Sequence, residues 1–113
     1  MSDNCLFCRI LRVEIPSTQV GESAGAIAFR DVNPQAPTHV LVVPRVHVAS
    51  LSAADDSAML GEVLFLAASV AKSEGLDADG YRVVINNGRN AGQAVDHLHI
   101  HVLGGRKLSW PPG

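Results

Sequence analysis

His97-Leu98-His99-Ile100-His101-Val102 decides how this chain is read. Three imidazoles alternate with three branched apolar side chains. In an extended strand, successive side chains point to opposite faces, so His97, His99 and His101 share one face and Leu98, Ile100 and Val102 the other. Same-face neighbours stand roughly 6–7 Å apart, close enough for three rings to converge on one phosphate-sized ligand or one metal ion. Basic nitrogens on a half-buried strand cost desolvation energy unless something binds them. The row therefore marks a site.

The chain has five histidines, and the other two, His39 and His47, bracket a second strand-like run, Thr38-His39-Val40-Leu41-Val42-Val43-Pro44. A lone histidine on a strand is ordinarily a satisfied core or edge residue. Three at strict alternation with two more beside a second strand are not accounted for in that way.

At 113 residues the chain makes one domain, spanning 1–113, with a core of its own. Nine lysines and arginines against eleven aspartates and glutamates give a net charge of −2, and the basic residues are scattered. That balance excludes non-specific nucleic-acid binding as a function. No apolar run is long enough to span a bilayer, and the first four residues carry no basic or apolar leader, so a cytoplasmic protein with no membrane partner is expected. Its cysteines, Cys5 and Cys8, should then stay reduced. A C-x-x-C redox pair belongs between a strand and a helix, a context this position lacks. The pair is either two packed free thiols or half of a zinc site.

Periodicity predicts an α+β domain: an antiparallel sheet of about five strands, one long and one short helix, with the helices on one face. Leu6, Phe7, Ile10 and Leu11 give a short helical segment within 5–13, and strands fall at 18–22, 26–30, 39–43 and 81–85, besides the histidine strand. Asp31 to Pro37 is a proline-punctuated loop. The long helix is capped by Ser52 or Asp55 and stopped by Gly75. Its core stripe is Leu60, Val63, Leu64, Ala67, Val70 and Ala71, while Glu62, Lys72, Ser73 and Glu74 face solvent. Gly61, unfavourable inside a helix, suggests a close approach to the sheet. Asn86 to Gln93 is a polar, glycine-bearing loop that delivers the chain to the histidines and suits an anion.

These residues resemble the histidine triad (HIT) superfamily, through His-x-His-x-His followed by Val102-Leu103. Several further stretches look like its branch of histidine triad nucleotide-binding proteins (HINT). They are Asp31 with Pro34-Gln35-Ala36-Pro37-Thr38-His39, Tyr81 to Asn86, Gly92-Gln93, and the tail Gly104-Gly105-Arg106 with Trp110-Pro111-Pro112-Gly113. The resemblance covers nearly the whole chain. It implies a HIT-like fold whose sheet extends across a homodimer, with the tail, residues 104–113, at the edge shared by the dimer and the active site. It further implies a hydrolase that cleaves the P–N bond of purine nucleoside phosphoramidates through a covalent nucleotidyl-histidine.

Carried onto this chain, the resemblance makes His99 the nucleophile, with His101 and His39 flanking the phosphate. Asp31 accepts from the ribose hydroxyls, and Asn86, Gly92 and Gln93 contact phosphate or ribose. Leu6, Phe7, Ile10, Phe29, Val32 and Leu41 line the base slot, although a core role suits these apolar side chains as well, and Trp110 belongs to the tail near the site. The residue types that carry zinc in some relatives are all present, as Cys5, Cys8, His47 and His97. Such a closed Cys2His2 set is structural. Imidazole suits the nucleophile's task because it is largely neutral near pH 7, and a covalent step divides one hard hydrolysis into two easier ones. Two positions depart from the family pattern: Ala94 replaces a hydroxyl residue, and Asp96 stands where an apolar or aromatic side chain is usual. Alternative functions are dinucleoside polyphosphate hydrolysis, which the Trp110-Pro111-Pro112-Gly113 tail disfavours, and a purine-nucleotide-binding scaffold with incidental catalysis.

Overall fold

The computed structural model describes residues 4–113; the expected lack of a leader falls mainly on residues 1–3, outside that range. Helix α1 (Leu6–Leu11) precedes strands β1 (Gln19–Glu22), β2 (Ala26–Arg30) and β3 (Thr38–Pro44). Helix α2 (Ser57–Ser73), β4 (Tyr81–Val84), one 3-10 turn (Arg89–Ala91) and β5 (Ile100–Gly104) complete the chain. The strands form one sheet in the order β1-β2-β3-β5-β4, with every neighbouring pair antiparallel.

The two helices lie on opposite faces of this sheet, not on one. In β2 and β3 both sets of alternate residues are apolar. Ala26, Ala28, Val40 and Val42, with Ile100 and Val102 of β5, pack against Val63, Leu66, Ala67, Val70 and Ala71 of α2. Ile27, Phe29, Leu41 and Val43 face the other way and are covered by Phe7 and Cys8 of α1. A strand apolar on both faces needs cover on both. Six residues of helix supply the second cover, and they place Phe7 and the two cysteines beside the histidines.

In α2 the buried stripe runs through Val63, Leu66, Ala67, Val70 and Ala71, spaced i, i+3, i+4, i+7 and i+8. Leu64 lies off that stripe and is half-exposed, with Phe65 beside it 74% exposed. The N-cap is Asp56, whose carboxylate accepts from the backbone N–H groups of Ala58 and Met59, rather than Ser52 or Asp55. Glu62 turns back over the β1–β2 hairpin and accepts from the Ser23 hydroxyl and the Gly25 N–H, both at 2.6 Å. The Ser23 bond, ahead of the Gly25 bond, holds the Glu62 carboxyl below its ordinary pKa. The close approach expected at Gly61 occurs instead at Gly21. A Cβ on Gly61 would meet nothing within 4 Å, whereas one on Gly21 would stand 2.9 Å from Val70.

Both helices end in the same six-residue motif. After α2, Gly75 (φ +76°) carries the turn, its N–H bonded to the Lys72 carbonyl and that of Leu76 to Ala71. After α1 the same two bonds run from Val13 to Ile10 and from Glu14 to Arg9, but the left-handed residue is Val13 (φ 60°).

A candidate active site and metal centre

β3 and β5 bring the histidines together. In their ladder Leu41 pairs with His101 and His39 with Leu103, so His39 and His101 are diagonal neighbours on the face covered by α1. The ladder stops at the Val42–Ile100 pair, and His97 to His99 precede β5 without joining it, the chain bending at His97. Beyond that pair the Pro44 carbonyl accepts from the His97 ring, and the Leu98 N–H bonds to the Val48 carbonyl. The expected alternation holds: Leu98, Ile100 and Val102 are fully buried on one side, and the three imidazoles lie on the other. Phe7 meets both His97 and His99 edge to face, with ring centres 5.9 and 5.1 Å apart.

Hydrogen bonds assign the protons. His99 Nδ1 lies 2.7 Å from the His97 carbonyl, an acceptor only, so Nδ1 carries the hydrogen and Nε2 keeps its lone pair. His39 Nδ1 accepts from the Gln35 backbone N–H at 3.0 Å, so its Nε2 is the protonated nitrogen. That Nε2–H points at His101 Nδ1, 2.9 Å away, with an Asp31 carboxylate oxygen at 3.4 Å. His101 must therefore carry its hydrogen on Nε2, a buried atom with no hydrogen-bond partner among the described residues. Burial, reinforced by the neighbouring His99 and His39, pushes the His101 pKa down to about 4. Burial also lowers that of His39, against the pull of Asp31. His101 is thus a neutral imidazole at pH 7, with a donor that no described protein group accepts.

His99 and His101 open on a cavity of about 340 Å³, lined mostly by apolar side chains. Leu6, Phe7, Ile10, Phe29, Asp31, Val32 and Leu41 of the expected set line it. Val32 is 96% exposed at its rim, and Leu41 is core as well as wall. Ile15, Pro16 and Val95 also line it and had no sequence signal beyond being apolar. Asn86, Gly92, Gln93 and Trp110 do not. Gln93 pins its own loop: its side-chain carbonyl accepts from Gly88 N–H and its amide donates to the Ala49 and Val95 carbonyls. Gly92 sits in the left-handed conformation (φ 78°) that ends the 3-10 turn, and Asn86 is half-buried just past β4. Trp110 is 80% exposed, with the Arg82 guanidinium 6.0 Å from its ring centre.

Four ligand atoms converge behind Phe7. Cys5 Sγ is 3.4 Å and Cys8 Sγ 3.6 Å from His97 Nδ1, and Cys8 Sγ is 3.2 Å from His47 Nδ1. All four atoms lie within 4.8 Å of one another. Two ligands on one tetrahedral zinc, with Zn–S and Zn–N bonds of the usual lengths, stand about 3.6 Å apart. The His97 Nε2–H donates to the Pro44 carbonyl at 2.9 Å, which leaves Nδ1 bare toward the sulfurs, as an outer-shell bond to a ligating histidine should. This donor set fits zinc. Asp31, His39 and His101 form a second cluster of possible ligands. There the Gln35 N–H occupies His39 Nδ1 and forces the proton onto Nε2, the atom that would have to coordinate. That cluster is built for proton placement, not for a metal.

The family model described as HIT domain matches residues 12–108 of this chain. A maize protein described as "14 kDa zinc-binding protein" is 51% identical over 112 residues, covering 96% of this chain and 87% of that one. The crystal structure of a HIT family hydrolase from Legionella pneumophila superposes with a TM-score of 0.94 at 48% identity, covering 97% of this chain and all of that one. A histidine triad nucleotide-binding protein from Candida albicans superposes with a TM-score of 0.84 at 37% identity, covering 96% and 83%. With its triad, fold and family match in agreement, the chain belongs to the HIT family.

Proposed function

We propose that this protein is a nucleotide-binding hydrolase that cleaves purine nucleoside phosphoramidates. One observation carries the reading: His99, whose Nε2 lone pair is fixed by the Nδ1–H bond to the His97 carbonyl, lines one apolar cavity together with His101, whose buried Nε2–H has no partner among the described residues. The purine lies in the slot of Leu6, Phe7, Ile10, Phe29, Val32 and Leu41, and Asp31 accepts from the ribose hydroxyls. Asn86, Gly92 and Gln93 support the phosphate side through their loop. The relatives described as a hydrolase and as a nucleotide-binding protein support both halves of this reading.

His99 Nε2 attacks phosphorus, forming a new N–P bond. The P–N bond to the amine breaks, its electron pair goes to the amine nitrogen, and that nitrogen takes a proton from solvent. His101 Nε2–H donates to a phosphoryl oxygen, where charge develops. His39 does not reach the phosphate itself in this scheme; it holds the His101 tautomer, with Asp31 behind it. Water then attacks phosphorus, releases a proton to solvent and returns the electron pair to His99 Nε2, yielding the nucleoside monophosphate. His99→Ala is expected to lower kcat for an adenosine phosphoramidate by at least about 1000-fold while adenosine monophosphate still binds. Turnover near the wild-type rate would refute the proposal.

Cys5, Cys8, His47 and His97 would hold zinc, which supplies cross-linking of α1 to the histidine segment and no chemistry at phosphorus. The zinc-binding relative from maize supports this. Thiolate ligands require a reducing compartment, which fits a cytoplasmic protein; no described helix is long and apolar enough to cross a membrane. The homodimer proposed is one whose sheet extends across the two copies, and the outward face of α2, where Ala58, Gly61, Leu64, Phe65 and Ala68 are exposed and none is charged, is further surface available to it. In such a dimer the exposed Trp110 of each tail is available to the other copy's site.

A further inference from the structure

Cys5 and Cys8 have a chemistry available to them besides holding a metal. Their position along the chain argues against a redox pair, because no strand precedes them. The structure nevertheless gives them the local geometry of one. Cys5 is the N-cap of α1 and Cys8 its third helical residue, and the Cys8 backbone N–H donates to Cys5 Sγ at 3.4 Å. Residues three apart in a helical turn have Cα atoms roughly 5 Å apart, inside the range that a disulfide spans. Both sulfurs converge on one atom, His97 Nδ1, 3.4 Å from Cys5 Sγ and 3.6 Å from Cys8 Sγ. They lie within 4.8 Å of each other. The two differ in access. Cys8 is fully buried, whereas Cys5 is 9% exposed and lines an open cavity of about 490 Å³ with His47 and Val95.

We propose that Cys5 and Cys8 are an oxidative modification site, at which a small hydroperoxide joins the two sulfurs as a disulfide and so dismantles the zinc set. As zinc ligands both sulfurs are thiolates. Cys5 Sγ attacks the terminal oxygen of the peroxide, and the O–O bond breaks. The departing oxygen takes a proton from solvent, and Cys5 is left as a sulfenic acid. Cys8 Sγ then attacks Cys5 Sγ, the S–S bond forms, and the expelled hydroxide takes a second proton to become water. The sulfurs give up two electrons, and the peroxide accepts both. With two of its four ligands gone, zinc is released. The change reaches the nucleophile through His97, whose ring faces the sulfurs and whose carbonyl accepts from His99 Nδ1 at 2.7 Å. The Pro44 carbonyl still holds that ring from its other nitrogen, so turnover falls by only about five-fold, the scale of one weakened hydrogen bond. Only this last consequence rests on the phosphoramidase reading above.

The test treats the zinc-loaded full chain with hydrogen peroxide. The tryptic peptide Met1–Arg9, which holds both cysteines, is expected to become lighter by one pair of hydrogens. A chromophoric chelator should register one zinc released per disulfide formed. Dithiothreitol with added zinc should reverse both changes and restore turnover. Cys8→Ser, unable to resolve the sulfenic acid, should be labelled by dimedone at Cys5, while Cys5→Ser gives neither label nor disulfide. Zinc that stays bound while the disulfide forms overturns the proposal. So does oxidation straight to sulfinic acid with no disulfide at any time, or dimedone labelling of Cys8 in Cys5→Ser at the rate seen for Cys5. A disulfide that releases zinc but leaves turnover unchanged upholds the site and refutes its link to His99. A protein inactive on phosphoramidates before any peroxide is added refutes the phosphoramidase reading, and the peptide mass and zinc release still decide the site.

Discussion

His39 Nε2 stands 2.9 Å from His101 Nδ1, and the direction of that hydrogen bond is set four residues before His39, by the backbone N–H of Gln35. A main-chain donor thus determines which nitrogen of a second histidine faces the ligand. Arg106 holds the same backbone from behind: its guanidinium donates to the Gln35 carbonyl at 2.9 Å, tying the tail after β5 to the loop before β3.

Removing the relay should loosen the donor without removing it. His39→Leu leaves His101 Nδ1 buried and unpaired, and the ring then populates both tautomers. A loss of about 10- to 100-fold in kcat/KM is expected, the scale of one buried hydrogen bond left unmade. His39→Gln, which can still donate an amide N–H, should recover part of it. Steady-state kinetics of the two variants provide the check; equal losses in both would place His39 outside the relay.

The depressed pKa of His101 makes stability depend on pH. Its folded-state value of about 4 lies below the ordinary 6.5, so on acidification the unfolded chain takes up a proton before the native one does. His39 is shifted in the same direction. Stability should be full above pH 6.5 and decline from there toward pH 4, with His101 contributing on the order of 2 kcal/mol. Urea denaturation at pH 7.5, 6 and 5 measures the slope. In His101→Gln that slope should be shallower, since the titrating group is gone.

Val13 offers a gain in stability. It adopts φ 60° at the end of α1, a conformation that crowds the Cβ of a β-branched residue, and its side chain is 85% exposed, with little packing to lose. The corresponding position after α2 is Gly75. Val13→Gly should raise stability by about 1 kcal/mol, read as a higher Tm at an unchanged m-value. A lower Tm would show that the valine packs in a way its exposure does not reveal.

Zinc should behave as a structural staple. Protein purified without chelators is expected to carry one zinc per chain by elemental analysis. Cys8→Ser should lower that content and reduce Tm, because α1 loses its link to His97. Phosphoramidate turnover should fall less than in His99→Ala. Full zinc occupancy in Cys8→Ser would rule out the Cys2His2 set.

Residue type and period made much of this architecture legible. Alternation placed His97, His99 and His101 on one face, whereas residue chemistry alone offered only half a zinc site at Cys5 and Cys8; the family resemblance added His47 and His97, and the four ligand atoms lie within 4.8 Å of one another. The apolar residues that the resemblance assigned to a base slot line one cavity, and Phe7, Phe29 and Leu41 are core as well as wall. What stayed hidden is carried by the backbone. The carbonyls of His97 and Pro44 and the N–H of Gln35 fix three imidazole tautomers, and a main-chain group has no signature in sequence. The second helix-covered face was implicit in the unbroken apolar run of β3, yet a six-residue helix carries too few turns for its direction to be read. Helical period placed Glu62 in solvent, whereas it is held by the Ser23 hydroxyl and the Gly25 N–H of the β1–β2 hairpin, donors that period does not reveal, and Gly61 has nothing within 4 Å.

The central claim is that His99 Nε2 becomes bonded to phosphorus during turnover. Mixing the protein with an adenosine phosphoramidate, quenching within the first turnover and weighing the peptides tests it most directly. The account predicts a peptide containing His99 heavier by one adenylyl group, absent in His99→Ala. Product formation at the wild-type rate with no such adduct at any quench time, or the adduct on His39 or His101 instead, would contradict it.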